Sequence, residues 1–393
     1  MVIVVMAIVM AMATVMATEA TAIMVLVILQ VMAMDMLPNK AIRTRMNSMR
    51  ILFISPTNFG LNKPIEEELI RQGHYVNFIA DSFLQHDNGY RGKNTIKKLI
   101  DGLIYNHEKI IKQHWTTISN TNNIFQQEYD LCLCINGCSL GKYFFERVKK
   151  RNPQIKCILY LWDTLNFFEY NRIFPFFDKI YSFDFNDSEN NRNITFLPFY
   201  WVPCKESTEK KYVLSLIGSH HDNRLRIAEL IAQQLDKYSL PYFIKIVCAR
   251  NSSLTISLIK EYVVALFTRD RYRIRDIKIL IGKDNHPLIT EKVFSIEEMQ
   301  RIIEASDCVL DTDMEVQAGP TPRLIWALAQ GKKVITTNRS IIDMPLYDPN
   351  RISVIDRKKP IINIDFLKNN ASYKHIDSLS RLRIDRWIEE LIS

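Results

Sequence analysis

Short apolar runs alternate with amphipathic stretches along most of this chain, and the alternation changes character at residue 50. The run Ile51–Ser55 (ILFIS) has the all-apolar pattern of a strand buried on both faces of a parallel sheet. A turn with Pro56, Asn58 and Gly60 follows, then a helix opening near Pro64 with Glu66, Glu67 and Glu68 and stopping at Gly73, then the strand HYVNFIAD. Further strands are expected at Asp130–Ile135, Cys157–Leu161 and Lys179–Phe183, with a helix at Lys142–Arg151. The proline-flanked FLPFYWVP, Phe196–Pro203, reads as a junction, after which the grammar restarts. Tyr212–Ile217 is a strand, Gly218–Asn223 a loop, Arg224 to about Tyr238 a helix and Phe243–Cys248 a strand. A helix at Leu254–Phe267 precedes the basic run RDRYRIRDIKIL, read as a solvated segment leading into a strand. Ser295 and Glu298 form a capping box for a helix whose buried face is Ile296, Met299, Ile302 and Ile303.

That helix leads into Ser306–Asn338, the most informative stretch. It predicts a strand at Cys308–Asp311, a polar loop holding Gly319, a helix at Pro322–Ala329 capped by Thr321 and stopped by Gly331, and a strand at Lys333–Thr336. Asp348–Asp356 then reads as a strand-like connector, and Ser378–Leu391 as a closing helix. The fold class is therefore α/β, with a first parallel-sheet domain over 50–204, a second over 205–377, and a C-terminal helix over 378–393.

Residues 1–45 differ in kind. Nine of the 14 methionines fall among Val, Ala, Ile and Thr before residue 37, and Glu19 interrupts the apolar run. Two readings stand: a membrane anchor, with Lys40, Arg43, Arg45 and Arg50 keeping the rest cytoplasmic, or a wrongly placed start, with Met46 or Met49 opening the protein. The second is preferred, because the Val-Met-Ala recurrence looks like a translated repeat.

Composition narrows the partners. The net charge of +8 is modest and dispersed, and no RNP-type motif, zinc-finger spacing or long basic tract accompanies it, so nucleic acid is not expected. The helical, partly basic stretch Lys93–Asn123 reads as a surface helix, with an acceptor- or membrane-facing role as the alternative. Seven cysteines without framework spacing argue for reduced thiols in a cytoplasmic setting. Cys132, Cys134 and Cys138 lack the CxxC or histidine that would complete a zinc site, and they read as core.

Candidate chemistry gathers at strand ends, where open α/β sheets bind ligands. The Gly319–Arg323 loop joins exposed N–H groups at a helix start to a first-turn arginine, a seat for phosphate. The Gly218–Asn223 loop is similar, with Arg224 or one of the adjacent His220 and His221 to add charge. Asp163, Asp184 and Asp187 follow strand ends, as capping residues or as a catalytic base.

Several strings give a resemblance to a known group. YLWD at 160–163, FD at 183–184, FLPFY at 196–200, LIGSHHDNR at 216–224 and the pattern from Arg323 to GKKVITTN resemble bacterial lipopolysaccharide-core and capsule biosynthesis proteins of the GT-B glycosyltransferase architecture. The resemblance spans about residues 50–390 and implies two Rossmann-like parallel-sheet domains facing each other, with the C-terminal helix crossing back. It implies sugar transfer from a nucleotide-sugar donor, bound by the second half, to a glycan or lipid-linked saccharide acceptor bound by the first. No cofactor and no required metal are expected, and the placement is cytoplasmic with peripheral contact to the inner membrane. Carried onto matching positions, Gly218, Ser219, Gly319 and Thr321 hold the diphosphate, Arg323 and Arg224 neutralise it, and Asp163 or Asp184 is the base. Retaining enzymes of this architecture commonly carry two glutamates around the last loop, and relatives with the Arg323 pattern often keep an acidic residue at the second position; Ala318 and Trp326 stand there instead, and Trp326 either stacks on a base or is buried between helix and sheet. Two other readings are a non-catalytic GT-B-like nucleotide- or sugar-binding scaffold and a sugar-nucleotide epimerase of the same architecture.

Overall fold

The protein is described by a computed structural model covering residues 48–57, 60–81, 107–165, 170–204, 209–248, 252–281, 286–369 and 377–393. The apolar segment 1–45 and the first part of the Lys93–Asn123 stretch lie outside the described residues.

The first half runs β1 (Arg50–Ser55), α1 (Asn62–Arg71), β2 (Tyr75–Ala80), α2 (His107–Asn122), β3 (Leu131–Ile135), α3 (Lys142–Arg151), β4 (Lys156–Leu161), β5 (Lys179–Ser182), α4 (Phe185–Asn190) and β6 (Ile194–Phe196). The second runs β7 (Tyr212–Ser219), α5 (Arg224–Lys237), β8 (Tyr242–Val247), α6 (Ser252–Thr268), α7 (Arg271–Ile281), β9 (Ile289–Thr290), α8 (Ile296–Glu304), β10 (Ser306–Asp311), α9 (Pro322–Ala329), β11 (Lys333–Thr336), β12 (Ile352–Val354) and α10 (Ile364–Lys368), before α11 (Asp377–Arg381) and α12 (Ile384–Ile392) close the chain.

Each half is built on a six-stranded sheet, ordered β2-β1-β3-β4-β5-β6 and β12-β11-β10-β7-β8-β9. All pairings are parallel, with Phe53 opposite Phe78 in the first sheet and Val309 opposite Val334 in the second. Central strands such as LCLCI are buried at every residue because helices cover both faces, which is why they read as continuous apolar runs. Strand order reverses between β1 and β3 in one sheet and between β7 and β10 in the other. Beyond the carboxyl ends of strands at such switch points, open sheets leave a crevice.

Two expectations need correction and a third gains detail. The basic run after Arg269 is a helix, α7, because Ile274, Ile277 and Leu280 recur at helical spacing and the last two are buried with Leu258 and Ala265 of α6. The Phe196–Pro203 connector is entered through a sixth strand, and its Leu197, Phe199 and Tyr200 are core residues. The closing helix is two helices, since the Trp201 backbone pairs with Leu382 and Ile384 (both N···O 2.9 Å) and the Trp201 indole donates to Leu379 O at 2.6 Å. Having broken there, α12 lies on the first half. The Trp387 Nε1 donates to Pro198 O at 2.9 Å, its ring sits 4.9 Å from that of Tyr160, and the Tyr181 hydroxyl donates to Glu390 O at 3.2 Å.

Among the described residues no helix is long and apolar enough to cross a membrane, and no group of three His, Cys, Asp or Glu side chains is arranged to hold a metal. Cys132 and Cys134 are core residues, as their strand alternation predicts.

Candidate functional site

A cleft of about 320 Å³ opens between the carboxyl ends of the two sheets. Trp162, Asp163 and Phe183 line it from the first half; Gly218, Ser219, Arg224, Thr321 and Arg323 line it from the second. Six of the eight site residues expected from sequence therefore meet in one place. Asp184 and Gly319 do not line the cleft.

Strand β7 ends as Ile217–Gly218–Ser219, and two guanidinium groups lie over that turn. Arg323 donates from Nη1 to Ile217 O at 2.5 Å and from Nη2 to Asp311 Oδ1 at 2.9 Å. Arg224 donates from Nε to Thr312 Oγ1 at 2.6 Å, from Nη1 to Ser219 O at 2.5 Å, and from Nη2 to Thr312 O. Both guanidinium tips lie against Gly218: a Cβ there would meet Arg224 Nη1 at 2.5 Å and Arg323 Nη1 at 2.9 Å. Burial and the neighbouring Arg323 together push the Arg224 guanidinium well below its ordinary range. The Nε of Arg323 is buried and has no acceptor among the described residues. Two guanidiniums held together, one of them paired with Asp311 and keeping an unused donor, are chemically suited to an anion.

Thr321 caps α9, accepting from Leu324 N at 3.3 Å while its hydroxyl donates to Asp311 Oδ1 at 2.7 Å. Asp311 thus ties the cap to Arg323. Burial pushes His220 and His221 down to about 4, with the positive charge of Arg224 adding to it in both, so neither brings charge at neutral pH. Only His221 of the pair lines the cleft; its Nδ1 approaches Asp222 at 3.5 Å without meeting hydrogen-bond geometry, which leaves a neutral imidazole facing the pocket.

Opposite stands Asp163, just past β4. Asn136 holds it: Nδ2 donates to Asp163 Oδ2 at 2.7 Å, while Oδ1 accepts from Trp162 N at 3.0 Å. Asn136 occupies the left-handed region at φ 57°, a conformation its residue type tolerates. Burial pushes the Asp163 carboxyl up to about 6, against the lowering by Asn136. A carboxylate near that value at a cleft wall is suited to taking a proton.

Asp184 works differently. Its Oδ1 caps α4 by accepting from Asn186 N at 3.0 Å, and its Oδ2 accepts from Ala318 N at 2.7 Å and Gly319 N at 3.4 Å, clamping the two halves. Gly319 belongs to the same clamp, because a Cβ there would sit 2.4 Å from Phe183 O. Gly319→Ala is therefore expected to lower the melting temperature by the equivalent of about 1–3 kcal/mol, the usual cost of overpacking. A thermal melt that matches wild type would show that the loop moves aside freely. Asp187 is also structural, accepting from Ser182 Oγ at 3.0 Å and Thr164 Oγ1 at 3.2 Å. Trp326 is buried between helix and junction, and its indole donates to Tyr200 O at 3.0 Å.

A network that sequence reading missed backs the cleft. Arg357 Nη2 donates to Asp313 Oδ1 at 2.5 Å and Nη1 to Asn223 Oδ1 at 3.0 Å, bracing the 312–317 loop against the start of α5. The only signal for it was an arginine just after the Asp356 turn, and nothing local marks its partner.

Two Rossmann-like sheets facing each other across a cleft, with the terminal helix returned to the first half, make this the GT-B architecture. No family model and no curated protein sequence matches the chain. Among solved structures it is similar to a lipopolysaccharide outer core galactosyltransferase, WaaB, in its apo form, with 13% identity over 87% of this chain and 97% of that one and a TM-score of 0.44. It is similar also to HepE of Anabaena in complex with UDP and glucose (11% identity, 88% and 99% covered, TM-score 0.45) and to MurG of Acinetobacter baumannii (11%, 87% and 99%, 0.42).

Proposed function

We propose that this protein is a glycosyltransferase that moves a sugar from a nucleotide-sugar donor to a saccharide acceptor, glycan or lipid-linked, in lipopolysaccharide or capsular polysaccharide assembly at the cytoplasmic face of the inner membrane. The observation that carries the reading is the convergence of the Arg224 and Arg323 guanidiniums on Gly218, in the same cleft as Asp163. A departing nucleoside diphosphate gains negative charge, and preorganised cations in a partly dry cleft stabilise that charge as it develops. Asp163, held by Asn136, takes the proton from the acceptor hydroxyl. In this reading the guanidiniums serve where other transferases use a cation, so no metal is required and a chelator leaves turnover unchanged.

A second reading, a scaffold that binds nucleotide without transferring sugar, is favoured by one observation. Ala318 and Trp326, which stand where retaining enzymes of this architecture carry glutamates, offer no carboxylate to a donor: Ala318 N is tied to Asp184, and the Trp326 indole, which donates to Tyr200 O, meets the cleft only as an apolar wall. Thermal melts against nucleoside diphosphates and their sugar conjugates test both. A diphosphate present at about 100 times its Kd should stabilise the protein by about 2.7 kcal/mol, with monophosphates giving less. No shift with any diphosphate removes the proposed seat. A shift without sugar transfer to any surface-glycan acceptor selects the scaffold, and conversion of the donor alone selects an epimerase.

A further inference from the structure

Helix α6 is apolar on two sides, and among the described residues only one of them is covered. Leu258 and Ala265 pack inward against Ile277 and Leu280 of α7. On the other side Ile259, Val263, Leu266 and Phe267 recur at i, i+4, i+7 and i+8, the spacing of a single helical stripe. Their exposures run from 45% at Val263 to 85% at Phe267. An exposed apolar stripe of this size marks an interaction surface.

The surrounding charge says what that is. From Ile259 to Lys278 there are six basic residues and three acidic ones. Arg273 pairs with Glu261 and Arg275 with Glu229, whereas exposed Arg269, Arg271 and Lys278 have no ion pair among the described residues. Arg269 and Arg271 sit at the turn beside Phe267, flanking Asp270, whose carboxylate accepts the Arg273 backbone N–H. A second copy docked stripe to stripe would offer the unpaired Arg269, Arg271 and Lys278 only a surface with the same basic excess. An apolar ridge tipped by a phenylalanine and fringed by arginines instead matches a bilayer surface, with acyl chains for the ridge and anionic headgroups for the fringe.

We infer that the α6–α7 hairpin is an interfacial docking element for an anionic phospholipid surface, with Phe267 inserted and Arg269 and Arg271 at the headgroups. Its position suits the cleft: the hairpin leaves the carboxyl end of β8 only a few residues after Val247, which lines the pocket. Docking there holds the cleft mouth near the membrane. The inference gives a surface to the membrane-side placement in the proposed function, and the two fail separately, because diphosphate stabilisation is measured without lipid.

The full chain is mixed with vesicles of phosphatidylglycerol and phosphatidylcholine in equal parts, or of phosphatidylcholine alone. The local reporter is Phe267→Trp, read against wild type with brominated acyl chains. The added tryptophan fluorescence should be quenched in the anionic vesicles and much less in the neutral ones, whatever residues 1–45 do. Adding Arg269→Gln and Arg271→Gln should weaken that quenching about thirtyfold in lipid concentration. An added tryptophan left unquenched overturns the inference, as does equal quenching in neutral vesicles. A concentration-dependent dimer in lipid-free solution, abolished by Val263→Ser with Phe267→Ser, overturns it in favour of a second copy. These positions are exposed, so an unchanged melt without lipid serves as the folding control.

Discussion

Arg323→Ala should abolish nucleoside diphosphate stabilisation and lower kcat/KM by about 10²- to 10³-fold, the scale seen when one preorganised charge donor is removed from a developing anion. In the proposed function the side chain supplies the seat; in the structure it is also part of the fold. Its Nη2 donates to Asp311, which is fully buried, and its Nη1 donates to Ile217 O. Breaking a buried ion pair from one side costs about 3–5 kcal/mol because the remaining charge is uncompensated. Here the Thr321 and Thr336 hydroxyls still reach Asp311, at 2.7 and 3.3 Å, and keep the loss toward the lower figure. Arg323→Ala with Asp311→Asn separates the two effects: it removes the orphaned carboxylate, so melting should recover toward wild type while diphosphate binding does not. Arg323→Lys keeps a charge and loses the fork, and should bind diphosphate weakly. Calorimetric titration beside melting curves decides it. A stable double variant with undiminished turnover would sink the donor seat.

What could be read from the chain was local. The bounds of α9 and β11 follow from Thr321, Pro322 and Gly331, three residues whose backbone chemistry acts within one turn, and the structure reproduces them. The all-apolar strands were equally plain. The misread α7 shows the limit of that method: five charged residues mask a triad of apolar positions whose partner, α6, lies across a helix turn. Gly319 looked like a phosphate-binding glycine because it precedes a helix start. Its reason is the Phe183 backbone, which no local pattern reveals. Arg357 and Asn223 are 134 residues apart in sequence and 3.0 Å apart in space. Of the two aspartates offered as bases, each sits past a strand end, and only the geometry assigns one to the cleft and the other to a clamp.

Asp163→Asn should therefore lower kcat by about 10²- to 10⁴-fold, the range for loss of a general base, with little change in donor affinity, since Asp163 stands on the wall opposite the arginines. Wild-type turnover should fall as pH drops below about 6, where the carboxyl protonates, and the residual turnover of the variant should lack that limb. Stability supplies an independent reading. The folded carboxyl, raised from 3.8 to about 6, holds its proton more tightly than the unfolded chain does, so its contribution to stability is greatest below 3.8 and is lost as pH rises through 6. Above that the buried charge is a burden, and the amide of Asp163→Asn can still accept from Asn136 Nδ2 at the same place. The variant should thus melt at or above wild type at neutral pH, with any gain vanishing toward pH 4. Lost turnover alongside undiminished stability is the mark of a group kept ionised for chemistry at the expense of the fold. A variant that unfolds while its few folded molecules turn over normally would instead make Asp163 a cap for the β4 loop, and the base would have to be sought elsewhere on the same wall.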